Sequence, residues 1–176
     1  MQAEALAGRL RAALRPLAVP PADAPWNLDE LDGLLKPGVP AEAAVLVGII
    51  PNHAGPEVLL TRRSDGLRNL GGQVSFHGGR IEAGDDSPVV AALREAHEEV
   101  GLEAGQAQVL GYLDPLLTIS SFRVSPVVVM IDPAFTPTPD PREVADVFQV
   151  PLDVLMDPVM LERIELQFAG RARHVF

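Results

Sequence analysis

Glu95, Glu98 and Glu99 fall within the segment Arg94-Glu95-Ala96-His97-Glu98-Glu99-Val100-Gly101-Leu102. At about 100° per residue on a helix they share roughly 100° of arc, while Val89, Leu93, Ala96 and Val100 share the opposite side. Like charges at that spacing repel, and a cation between them would reverse the sign of the interaction. Carboxylate oxygens are hard donors suited to Mg2+ or Mn2+, ions that keep several waters and bridge a few carboxylates to substrate phosphates. Hydrolysis of a phosphate ester or anhydride is the chemistry such a site serves. Taken alone, the triplet also fits a solvated acidic face on which Arg94 pairs with Glu98 at i,i+4. What distinguishes it is the stretch Gly78-Gly79-Arg80-Ile81-Glu82-Ala83-Gly84-Asp85 just upstream. Paired glycines let a backbone approach a ligand closely, and a capped helix following at a fixed distance completes a loop-helix cradle for metal and phosphate.

Those residues need a helix and a sheet to hold them. Ser87-Pro88 reads as a capping hydroxyl with proline in the first turn, and Gly101 as the C-terminal stop. Ala44 to Ile50 and Glu57 to Thr61 read as strands joined by a turn at Asn52-His53-Ala54-Gly55, forming a hairpin. Val74 to Phe76, Val109 to Leu113, Val124 to Ile131, Val144 to Val150 and Ile164 to Phe168 are also strand-like, with a proline-rich loop from Asp132 to Pro141. Near the N-terminus, Leu6, Leu10, Ala13, Leu14 and Leu17 recur at helical spacing, which suits packing on the domain's own sheet or a homodimer contact. The proline-dense run PLAVPPADAP from Pro16 to Pro25 follows it. The expected organisation is therefore a helix and linker over residues 1–25, then one α+β domain over residues 26–176.

Composition removes several alternatives. The 176 residues are 47% hydrophobic and 22% charged, enough apolar content for one packed core. With no cysteine, disulfides, thiolate zinc sites and cysteine nucleophiles are excluded, and a reducing compartment fits. Fourteen Lys+Arg against 24 Asp+Glu give a formal charge of -10, the wrong sign for a general nucleic-acid surface, so an anionic substrate would need a local basic patch or a metal. No apolar run approaches the roughly 18 to 20 residues of a membrane span, and no secretory leader is recognisable, so no membrane or nucleic-acid partner and a cytoplasmic location are expected.

The segment from Gly79 to Leu102 resembles the Nudix hydrolase family, whose box reads G, five residues, E, seven residues, R-E-U-x-E-E-x-G-U, with U aliphatic. Gly79, Arg94, Glu95, Glu98, Glu99, Gly101 and Leu102 match, and Ala96 takes the first aliphatic position. Asp85 stands where the first Glu is expected, and eight residues separate it from Arg94. Both departures are similar to the coenzyme A diphosphatase branch, as is the stretch from Leu59 to Ser64 and from Leu67 to Phe76. That branch usually shows His where Leu70 stands and Pro where His77 stands. It also adds a last strand and a closing helix. Here Phe176 follows soon after Gly170 opens a new strand, so the closing helix is expected to be missing, which leaves one outer layer of the sandwich open to question.

The resemblance implies an α-β-α sandwich with a mixed sheet and a loop-helix metal and diphosphate site. Its implied activity is metal-dependent hydrolysis of coenzyme A or its derivatives to 3′,5′-ADP and a 4′-phosphopantetheine product. Glu95, Glu98 and Glu99 would be metal ligands with the Gly78 carbonyl, Arg94 would orient them, and Gly79 would lie against substrate. The water's proton would go to Glu95 or to a carboxylate outside the box, for which Glu143 is the candidate. Arg62, Arg63 and Arg68 form a basic cluster able to grip a phosphate, although solubility alone would also explain it. Another nucleoside diphosphate derivative such as NADH or ADP-ribose, or an idle nucleotide-binding module, are the alternatives. His97 projects away from Glu95 and receives no role, and His53, His174 and Ser120-Ser121 are expected to be structural or solvent-facing.

Overall fold

A computed structural model describes residues 2–31, 35, 38–65, 71–160, 164–168 and 171–175. Its centre is a mixed sheet. Strand β1 (Ala41–Ile50) runs parallel to β7 (Phe122–Ile131) and antiparallel to β2 (Glu57–Arg63) and β4 (His77–Arg80). Strand β3 (Val74–Ser75) and β8 (Val144–Pro151) pair with β2, while β5 (Ala107–Tyr112) and β6 (Leu116–Leu117) pair with β7, giving eight strands. Beyond the short helix α3 (Leu152–Met156), β9 (Ile164–Phe168) and β10 (Arg171–Val175) form a separate antiparallel pair.

Both faces of the sheet are covered, which is why β1 and β7 read as almost unbroken apolar runs instead of alternating. Helix α2 (Pro88–Val100) packs on one face, where Ala44, Leu46, Leu59, Val127, Val129 and Ile131 are buried. Helix α1 (Gln2–Ala13) packs on the other, with Ala7 buried among Ile49, Val58, Leu60, Leu110, Val128 and Met130. Leu6, Leu10 and Leu14 lie against this second cluster, so the N-terminal stripe is used on the chain's own sheet. The sheet face opposite α2 is thus covered by α1. The proline-rich stretch after it is pinned too: Arg123 donates to the carbonyls of Pro21 and Asp23, and Arg15 pairs with Asp23 and Asp114.

Helix α2 forms where the sequence predicts it. The Ser87 hydroxyl accepts from the Val90 N–H at 3.3 Å, and Gly101 takes φ 73°, the left-handed turn that ends a helix. Besides Glu99 and Val100 in its last turn, its buried residues are Ala91, Ala92 and Ala96. Side chains that small let the helix axis approach the sheet, so the carboxylates on its flank lie close to β4. Among the described residues no helix is long and apolar enough to cross a membrane.

Candidate active site

Strand β4 is the element that the sequence did not announce. Leu46 faces His77 and Ala44 faces Gly79 across the β1–β4 ladder. Because Ala44 and Leu46 point toward α2, His77 and Gly79 point there as well. A strand repeats a face every 6.6 Å or so, and a helix brings residues i and i+4 to one side about 6 Å apart, so β4 and α2 can stay in step for two positions. They run in opposite directions. Glu99 meets His77, Glu95 lies over Gly79, and the Arg94 guanidinium reaches the Arg80 carbonyl at 3.1 Å.

The two glycines act differently. A Cβ at Gly79 would lie 2.5 Å from the Glu95 Cδ and 2.7 Å from its Oε2, so the missing side chain is the space that the carboxylate fills. A Cβ at Gly78 would lie 2.8 Å from the Val45 Cγ1, 2.7 Å from the Val45 Cα and closer still to the Ala44 carbonyl oxygen, so backbone would have to yield. Ile81 donates to the Glu42 carbonyl at 3.0 Å. By ladder alternation this turns the carbonyls of Gly78 and Arg80 away from β1, and the Arg80 carbonyl is indeed the one that Arg94 finds. The Gly78 carbonyl is therefore directed off the ladder, as a ligand oxygen must be.

Arg94 organises the acidic flank. Its Nε and Nη2 donate to the Asp85 carboxylate at 3.2 and 3.0 Å, and Nη1 to Glu95 at 2.9 Å and to Glu98 at 3.4 Å. Asp85 thus reaches Arg94 despite the extra residue between them. That fork, with the Glu82 N–H at 2.8 Å, holds the Asp85 carboxyl below the usual carboxylate range. Burial pushes the Glu95 carboxyl above its usual range; Arg94 opposes that shift, while Glu99 and Glu98 add to it by repulsion.

The remaining expected residues divide. Glu98 is exposed, whereas the Glu99 side chain is only 3% exposed and turns inward to His77 and Arg63. Arg63 Nη1 stands 3.7 Å from Glu99 Oε1, and Arg62 pairs with Asp65 at 3.7 Å, so these two arginines engage carboxylates and present no joint patch. Arg68 lies outside the described residues, as does Leu70. Glu143 arrives by a docked loop. Thr138 N–H donates to the Val100 carbonyl and Asp140 N–H to the Glu99 carbonyl, capping the end of α2, and Ser64 N–H then donates to the Glu143 carbonyl next to Arg63. His97 is exposed beside Glu103.

His77 is the site residue that the sequence marked only as a departure from the branch and gave no role. Its ring is fully buried with Nδ1 3.2 Å from Glu99 Oε2. A signal existed in its spacing, two residues before Gly79 and hence on the same face of any strand through both.

Among the described residues no three acidic or histidine side chains converge tightly enough to enclose an ion unaided. Magnesium and manganese do not need such a cage, since one or two carboxylates, waters and substrate phosphates complete their shells. Glu95 seated over a glycine, Glu99 one turn away and an off-ladder carbonyl on β4 are oxygen donors of the right kind, and they fit a hard divalent ion.

A NUDIX domain family model matches residues 40–168. The chain belongs to the Nudix family. Relatives named uncharacterized Nudix hydrolase NudL include one from Pectobacterium atrosepticum, 49% identical over 112 residues, covering 64% of this chain and 58% of that protein. Another, from Photorhabdus laumondii, is 39% identical over 134 residues, covering 76% and 71%. This Nudix chain therefore spans about three fifths to seven tenths of the length of those two relatives. Among solved structures, a Nudix hydrolase from M. smegmatis, RenU, superposes with TM-score 0.56 at 24% identity, covering 68% of this chain and 75% of that one. The NUDIX domain of Shewanella oneidensis NrtR, solved with ADP ribose, gives 0.51 at 20% identity, covering 74% and 88%. These likenesses show a Nudix fold built on the same mixed, open sheet.

Proposed function

We infer that this Nudix chain hydrolyses the diphosphate linkage of coenzyme A or its derivatives, releasing 3′,5′-ADP and a 4′-phosphopantetheine product. The observation that carries the hydrolytic part is the register of Glu95 and Glu99 on α2 against Gly79 and His77 on β4. The coenzyme A part is supported by Asp85 and its spacing to Arg94, by the stretch before the box, and by the geometry in which the longer spacing still lets Asp85 bind Arg94.

Glu95, Glu98, Glu99 and the Gly78 carbonyl are the residues that would hold magnesium or manganese. When bound, the ion neutralises phosphate charge and acidifies a coordinated water. The protein's own part is placement. Gly79, by lacking a side chain, leaves the space in which the Glu95 carboxylate sits and would lie beside the diphosphate that the metal holds. Arg94, anchored on Asp85 and the Arg80 carbonyl, keeps Glu95 and Glu98 turned to one side. The proton of an attacking water would go to Glu95 or to Glu143. Arg62, partly exposed beside Asp65, is the described arginine of the cluster that would be available to a peripheral phosphate.

The test is a mass-spectrometric product assay with coenzyme A, NADH and ADP-ribose, each with magnesium and with manganese. Appearance of 3′,5′-ADP from coenzyme A, lost in Glu98→Gln, is expected. Turnover of only NADH or ADP-ribose would retain the hydrolase and replace the substrate; silence across the panel would refute the activity.

A further inference from the structure

The Nudix box accounts for Glu99 but not for what lies beneath it. Glu99 is an ionisable side chain sealed from solvent, and its carboxylate meets two groups from neighbouring strands: Arg63 from β2 and His77 from β4. Only the second is at hydrogen-bonding distance, 3.2 Å from Nδ1 to Oε2, against 3.7 Å for the arginine. A carboxylate only accepts, so Nδ1 carries the proton and donates. The other ring nitrogen, Nε2, is buried without a hydrogen-bond partner among the described residues.

The ring is also immobile. His77 is completely buried, and its backbone is fixed to Leu46 in the β1–β4 ladder. Glu99 is therefore held by a donor that belongs to the sheet, not by another flexible side chain. With Oε2 engaged, rotation of the carboxylate about its terminal bond is restricted, and Oε1, which faces the Arg63 guanidinium at 3.7 Å, accepts no hydrogen bond among the described residues.

We propose that His77 is a positioning residue for the metal: by donating from Nδ1 to Glu99 Oε2, it locks the carboxylate so that its other oxygen is presented for coordination. The proposal rests on the reading of Glu99 as a metal ligand. Partners of this kind typically raise metal affinity 10- to 100-fold, because they fix a ligand that would otherwise lose freedom on binding.

Manganese alone is the probe, and its dissociation constant is measured by electron paramagnetic resonance without substrate. Replacing His77 by leucine, which fills much of the same volume without a donor, should weaken Mn2+ binding by about 10- to 100-fold. His77→Asn, whose amide can occupy the Nδ1 position, should recover most of that loss. A cooperative thermal melt certifies that each variant is folded. Glu99→Gln separates the two readings: if it leaves Mn2+ binding unchanged, Glu99 is not a ligand and the underlying reading fails. If Glu99→Gln abolishes binding while a folded His77→Leu binds within twofold of the parent, the positioning role alone is overturned. Should His77→Leu not fold, nitrogen NMR of histidine-labelled parent protein decides. The His77 signals, assigned by their loss in His77→Asn, should show the proton on Nδ1 and move on titration with Mg2+. A proton on Nε2, or an Nδ1 signal that magnesium leaves untouched, would overturn the proposal.

Discussion

Adding one methyl group at each of the adjacent glycines of β4 should have opposite consequences. At Gly79 the new Cβ falls 2.5 to 2.7 Å from carboxyl atoms of Glu95, about 1 Å inside ordinary contact, so either it or the carboxylate must move. The carboxylate is the far end of a flexible side chain and will yield. Stability then loses at most the Glu95 share of a partly exposed ion pair with Arg94, about 0.2–1 kcal/mol. Replacing glycine where φ is not positive returns about 0.4–1 kcal/mol by restricting the unfolded chain, so Gly79→Ala should melt within roughly 3 °C of the parent. Function should not survive so well, because a catalytic group displaced by about 1 Å can lower turnover on the order of 100-fold. At Gly78 the obstacles are the Val45 Cα and the Ala44 carbonyl, neither of which can move without parting β4 from β1. Overpacking of that kind costs about 1–3 kcal/mol, or roughly 2–12 °C at this chain length. Paired thermal melts and initial rates at saturating Mn2+ read both effects. A Gly79→Ala protein with turnover within threefold of the parent would show that Glu95 need not occupy the space over β4, and a Gly78→Ala protein of unchanged stability would contradict the strand register itself.

Further consequences follow from the same contacts. Glu95→Gln should raise the melting temperature of the metal-free protein at neutral pH: the folded-state pKa is raised, so stability is greatest below the unfolded value and falls as pH rises through the folded one. Added Mn2+ should stabilise the parent but not this variant, and a lower metal-free melting temperature for Glu95→Gln would refute the assignment. Asp85 has the opposite sign. Its lowered pKa supplies stability above the ordinary carboxylate range that is lost on acidification, so Asp85→Asn should flatten the acid limb of a stability–pH curve. At pH 7, losing this charge-assisted fork should cost about 1.5–3 kcal/mol in denaturant titration. Glu143→Gln should lower turnover while leaving the Mn2+ dissociation constant within about twofold, since its carboxylate is assigned to the proton and not to the ion; joint loss of both would place it in the metal shell. Ala7→Asp would bury a charge between α1 and the sheet, and a loss above about 3 kcal/mol is expected.

Which parts of this site could be read from the chain depends on the distance over which each is specified. Helix α2 was legible because its cap, its apolar side, its acidic side and its stop are all written within fifteen residues, and local periodicity carries them. Arg94 as the orienting residue follows from the same short segment, although its main partner, Asp85, becomes visible only when the turn from Glu82 to Asp85 folds back. Strand β4 was not legible. Gly78 and Gly79 have neither strand propensity nor side-chain alternation, and their extended form comes from pairing with Ala44 and Val45 more than thirty residues earlier. Everything set by that pairing was hidden with it: the face on which His77 lies, the direction of the Gly78 carbonyl, and the space kept for Glu95. Arg63 shows the same limit from the other side. Its sequence neighbours suggest a basic patch, but a surface patch requires the arginines to share a surface, and contact with Glu99 draws this one beneath α2. Phosphate recognition in this Nudix chain therefore cannot be counted from the number of arginines near the box; it depends on which guanidinium groups the carboxylates have already engaged.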